Sequence, residues 1–110
     1  MLTNTRSKLE MGWTQEVLAR NAEGKPVYPD HHSATCFCLH GAIIAGNPHS
    51  ILHERQKLRD FMDSELDPIE HTGGLTLLAF SNDHVFQSQA EVLAYIDRLL
   101  KSLSAELNPT

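Results

Sequence analysis

The tetrad Ser88-Gln89-Ala90-Glu91 constrains the fold more than any other stretch of this chain. A serine followed three residues later by glutamate is a capping box, in which each side chain satisfies a backbone N–H that the first helical turn leaves open. Val92, Leu93, Ile96, Leu99, Leu100 and Leu103 run on from it at intervals of three and four. That spacing gathers six aliphatic side chains on one face of a helix over 89–104. Such a stripe must be buried, either against the rest of the chain or against a second copy as a homodimer.

The chain supplies material for one modest core. It has 110 residues, 41% of them hydrophobic and 21% charged. That is the size of a single domain, 1–110. Residues 2–11 read as a short helix or arm stopped by Gly12. Residues 13–20 stay open between a helical turn and an extended segment, and Pro26 and Pro29 make 25–32 a loop. Ser33 is a natural N-cap. Ala34, Phe37, Cys38, Gly41, Ala42 and Ala45 then recur at helical spacing up to Gly46 and Pro48. Gly41 and Ala42 would admit a second backbone, with Trp13 as the group to fill that approach. Ser50 caps a further helix over 51–62, with Ile51, Leu52, Leu58, Phe61 and Met62 apolar. An acidic loop follows over 63–74. "LTLLAF", Leu75–Phe80, is a short buried helix or a strand, since period cannot decide at that length. The expected fold is mainly α, a compact bundle of about four helices, with a short two-stranded element and hence α+β as the alternative. Trp13, Phe37, Cys38, Leu93, Ile96 and Leu100 are expected to face one core.

Several function classes are disfavoured. No run approaches the roughly 18 apolar residues of a membrane span, and "MLTNTRSKLE" has no signal-peptide core. The reading is a cytoplasmic protein with reduced thiols. Net charge is −5, and "ERQKLRD", Glu54–Asp60, reads as a solvated helix face, so direct nucleic-acid binding is not expected. The acids clustered over 60–70 admit mimicry of nucleic acid toward a basic partner instead.

The chemistry-bearing residues centre on "CFCLH", Cys36–His40. On a helix, Cys36 and Cys38 would point about 200° apart and could not share an ion. Cys36 and His40 would share a face, but His31, His32 or His71 would have to complete the set, and zinc spacing is missing. No metal and no cofactor is expected. Cys38, on the apolar face, reads as a small buried hydrophobe. The sharper alternative is a thiol enzyme with Cys38 as nucleophile, His84 as base and Asp83 or Asn82 as orienter. The plain reading of Asn82-Asp83 is a turn that bonds local backbone.

Three segments carry a resemblance: "GWTQ" with "AEGKPV" (Gly12–Val27), "CLHGA" (Cys38–Ala42), and "FSNDH" with "QAEVLAYIDR" (Phe80–Arg98). In this order they resemble a family of small bacterial and phage-borne domains with no assigned activity. Ser81, between Phe80 and Asn82, departs from the family pattern, and 47–74 has no counterpart in it. The resemblance implies a shared fold centred on Trp13, Cys38, Gly41, Ala42, Asn82 and Asp83. Trp13, Gln15 and Asn82 are the binding residues it brings forward. The resemblance itself implies no activity; small size, acidity, the absence of a cofactor motif and the resemblance together motivate the expectation of an interaction domain that engages a protein partner, such as a phage accessory or anti-defence inhibitor.

Overall fold

A computed structural model describes residues 1–107, with side chains through Leu103. Its described residues form five α-helices and a two-stranded antiparallel sheet: α1 (Leu2–Met11), β1 (Ala19–Asn21), β2 (Ala34–Phe37), α2 (Leu39–Gly46), α3 (Leu52–Ser64), α4 (Leu77–Phe80) and α5 (Gln89–Leu107). The arrangement is α-rich with a small sheet, the α+β alternative. No described helix is long and apolar enough to cross a membrane.

α5 starts where its capping box places it. Ser88 Oγ accepts the Glu91 N–H at 3.2 Å, and the Glu91 carboxylate takes the Gln87 N–H. Val92, Tyr95, Ile96 and Leu99 are buried, and Leu93, Leu100 and Leu103 pack half-buried on the same cluster. The chain itself therefore covers much of this stripe. α1 lies along α5, joined by Arg6 to Asp97 at 2.6 Å. Gln89 Nε2 donates to the carbonyls of Leu9 and Glu10, which closes the C-terminus of α1. α1 also crosses α2 closely, and Gly46 is the point of contact. A methyl group there would meet the Asn4 carbonyl oxygen at 2.6 Å.

The segment after Ser33 departs from its helical reading. Residues 34–37 are a strand, and the helix begins only at Leu39 with Cys38 as N-cap. Backbone groups distant in the chain decide this. β2 pairs with β1 in the register Ala19↔Phe37, Arg20↔Cys36 and Asn21↔Ala34. Phe37 also donates to the Gly12 carbonyl at 3.0 Å and accepts from the Thr14 N–H at 3.1 Å. Residues 13–20 are correspondingly extended at their end, and 77–80 is helical rather than a strand.

α3 runs two residues beyond its expected end, and its first apolar positions do not belong to the core. Ile51 and Leu52 are exposed, while Met62 is buried and Leu58 and Phe61 half-buried. Tyr95 Oη donates to the Met62 carbonyl at 2.6 Å, which ties the end of α3 to α5. Of the residues expected in one core, Phe37, Cys38 and Ile96 are buried; Trp13, Leu93 and Leu100 pack against it half-buried.

Candidate functional site

Thr76 caps α4 by accepting the Ala79 N–H at 3.1 Å. The helix then widens into a π-helical turn, Ser81–Val85, closed by Phe86 N–H to the Ser81 carbonyl at 2.9 Å. Widening of this kind re-aims side chains and recurs at functional sites. Here Asn82 is turned inward, 1% exposed.

Every polar valence of the Asn82 amide is used. Its Oδ1 accepts from Trp13 Nε1 at 2.8 Å and from the Leu39 N–H at 3.0 Å. Its Nδ2 donates to the Thr14 carbonyl at 3.1 Å and to Asp83 Oδ1 at 3.0 Å. Both partners of the oxygen are pure donors, which fixes the orientation of the amide. Gln15 Nε2 donates to the carbonyls of Asn82, Asp83 and Phe86 at 3.0–3.3 Å. Asp83 Oδ1 also accepts the Glu16 N–H at 2.8 Å. Glu16 has φ 72°, the left-handed region, where a non-glycine residue is strained by about 1–2 kcal/mol. The bond to a carboxylate holds it there.

Trp13, Gln15, Asn82 and Asp83 thus form one hydrogen-bonded knot across the chain. In this structure the hydrogen bonds of the Trp13 indole and the Asn82 amide are made within the protein. The knot also caps α2. Asn82 takes the Leu39 N–H, and Cys38 Sγ accepts the Gly41 N–H at 3.2 Å. Two of the amides that open the helix are satisfied by these side chains.

Cys38 is buried, 8% exposed, and Cys36 half-buried; both are free thiols. Burial pushes the Cys38 thiol above the ordinary cysteine range, partly offset by the Gly41 and His40 N–H groups, and the Asp83 charge adds to the rise. Cys38 opens on a cleft of about 200 Å³ that also meets Glu16, His40, Asn82 and Asp83. The structure therefore brings Cys38 and Asp83 together. It does not bring His84 to them: that residue is exposed and its ring lies tilted against Phe80, centroids 4.7 Å apart. The imidazole at this cleft is His40.

His40 Nε2 lies 3.3 Å from Arg59 Nη1. The guanidinium can only donate, so Nε2 accepts and the ring proton sits on Nδ1. Burial first, then the charges of Arg59 and Arg55, lower the His40 pKa from 6.5. The site thus holds a protonated thiol and a neutral imidazole at neutral pH, with no hydrogen bond between them among the described residues. Among the described residues no three His, Cys, Asp or Glu side chains group as a metal-ligand set.

The sign of the His40 effect is fixed. Below about pH 6.5 the unfolded chain binds a proton that the folded imidazole resists, so the contribution is full above that pH and lost as pH falls. Urea midpoints measured from about pH 7.5 down to 5 should fall more steeply for the wild type than for His40→Asn.

The sequence brings His40 forward only as a possible metal ligand beside Cys36, and Arg59 and Asp63 not at all as site residues. Arg55 and Arg59 read as a solvated face, yet both are half-buried with the Nε atom of each shielded from solvent. Only the fold reveals that His40 of α2 and the 74–79 segment gather around Arg59.

These features define a small α+β protein whose helix junction is locked by side chains from both ends of the chain. Residues 1–101 match a family of unknown function, DUF6197, and the chain belongs to that family. No curated protein and no solved structure matches it.

Proposed function

We propose that this is a cytoplasmic protein-interaction module of bacterial or phage origin, such as an anti-defence accessory protein, that docks a basic partner segment through an apolar anchor. The observation that carries the reading is an open groove of about 370 Å³ formed by Val17, Leu18, Pro26, Val27 and Tyr28, with Tyr28 78% exposed. Exposed aromatic anchors beside aliphatic side chains are the usual hot spots of protein docking. The flanking residues Glu16 and Asp30 are exposed acids, and the chain carries a net charge of −5. Both favour a partner with basic residues around an aliphatic or aromatic side chain. Pro26, which bridges to Arg20 of β1, has no N–H to offer an added strand, so side-chain docking is the better fit.

The test is parallel capture from bacterial lysate with the wild type and Tyr28→Asp. The expected result is a basic protein retained by the wild type, released as salt rises, and lost from the variant. Identical captures from the two proteins would contradict the reading. Sedimentation of both proteins identifies the case in which the occupant is a second copy, as a wild-type dimer that Tyr28→Asp dissolves.

A second reading, thiol chemistry at Cys38, is favoured by the cleft in which Cys38, His40 and Asp83 meet. The protonation states described above weigh against it.

A further inference from the structure

A larger cavity, of about 420 Å³, lies between α3 and the 74–79 segment. It shares no lining residue with the apolar groove. Its volume is in the range that small ligands occupy. One wall is a face of α3 bearing Gln56, Arg59, Asp60 and Asp63, spaced three and four apart; His40 closes one side.

Arg59 and Asp63 are separated by four residues on one helix, the spacing at which an ion pair forms. They do not pair. Among the described residues, the salt bridges are those of Arg6 with Glu10 and Asp97. Asp63 Oδ1 instead accepts the Leu78 N–H at 2.8 Å. Arg59 reaches the neutral His40 ring, while its Nε is buried with no partner. A guanidinium and a carboxylate thus line one cavity without pairing with each other, and the buried Nε of Arg59 is left without a hydrogen-bond partner. A plain anion at Arg59 would meet Asp60 and Asp63. A plain cation at the acids would meet Arg59. A molecule carrying both charges satisfies each wall.

We propose that this cavity binds a small dipolar molecule, its carboxylate against Arg59 and its ammonium against Asp60 and Asp63. Arg59 supplies a planar fork suited to a carboxylate. Gln56, on the same wall, adds a neutral donor and acceptor. His40 adjoins the carboxylate end, so an occupant there raises the pKa of the imidazole. The charged groups around that ring are Arg55 and Arg59 from α3, Asp60 and Asp63 farther along it, and Glu16 and Asp83 at the smaller cleft.

The test is an NMR titration of the whole protein with glycine and γ-aminobutyrate as dipolar probes, and acetate, methylammonium and inorganic phosphate as single-charge probes. The His40 ring shifts and pKa are followed together. The expected result is that one dipolar probe binds at least about fivefold more tightly than any single-charge probe, at concentrations up to about 10 mM. Binding should raise the His40 pKa. Arg59→Gln and Asp63→Asn should each weaken it at least about fivefold, a loss of the size expected for a charge-assisted contact. Asp63→Asn keeps the acceptor for Leu78, and Arg59→Lys keeps the charge while removing the fork, so either serves if Arg59→Gln fails to fold. The proposal is overturned if no dipolar probe binds, if acetate or phosphate binds as tightly, or if the folded variants bind as the wild type does.

Discussion

Gly41→Ala is expected to destabilise the protein by about 3 kcal/mol or more, read as a drop in the urea midpoint. Helix propensity alone favours the opposite sign, since alanine is better than glycine inside a helix by about 1 kcal/mol. Sterics decide. A methyl group on Gly41 would sit 1.9 Å from the Leu18 carbonyl oxygen and 2.8 Å from its carbon. These are backbone atoms and cannot swing aside. The Leu18 carbonyl is also pinned, because it accepts the Cys38 N–H at 3.0 Å. Making room would break the bond that sets the strand-to-helix corner. A neutral or stabilised Gly41→Ala would mean that α2 and the 18–19 segment do not approach as described.

Asn82→Ala should cost about 3–5 kcal/mol. The loss is not mainly the volume of the side chain. Truncation strands the Trp13 indole N–H, the Leu39 N–H and the Thr14 carbonyl where water has little access, and unmade bonds of this kind cost about 1–3 kcal/mol each. The contributions overlap, so the sum falls short of the total of its parts. Asn82→Asp sharpens the test. It retains oxygen acceptors for Trp13 and Leu39, but loses the donor to Thr14 and sets a second carboxylate against Asp83. It should be unstable at neutral pH and recover in part as acid protonates the pair. If Asn82→Ala stays within about 0.5 kcal/mol of wild type, the knot is not a structural joint.

The sequence exposed what is local and concealed what is not. The capping box at Ser88 and the aliphatic stripe behind it belong to a single helix, and α5 forms there. The 34–38 segment has apolar spacing that suits a helix equally well, and only Gly12, Thr14 and Leu18, far back in the chain, supply the backbone partners that make it a strand. The inward Cys38 and less buried Cys36 were anticipated from a helical wheel that the strand replaces. Gly41 reads in the sequence as a point of close approach and is one, but its occupant is the Leu18 backbone, not Trp13. Trp13, Gln15 and Asn82 came forward as binding residues, and the fold gathers them. Nothing in their spacing shows that they satisfy one another. The imidazole beside Cys38 is misassigned for the same reason: His84 precedes α5 and looks available, while His40, which a helical wheel pairs with Cys36, reaches the Cys38 cleft because α2 begins at Leu39. The acids over 60–70 do not form one face either, since Asp63 is half-buried and bonded to Leu78.

The strand-to-helix corner depends on Cys38 serving as the cap of α2, beside the clamp of Asn82, and holding its proton. Peptide-resolved iodoacetamide labelling against pH measures that directly, with Cys36 as the internal comparison. The expected result is slow modification of Cys38 relative to Cys36 at neutral pH, with its rise displaced above the ordinary thiol range of about 8.5. Rapid labelling of Cys38 near pH 7, with an inflection at or below about 7 as for an activated thiolate, would contradict it and turn the cleft into a catalytic one.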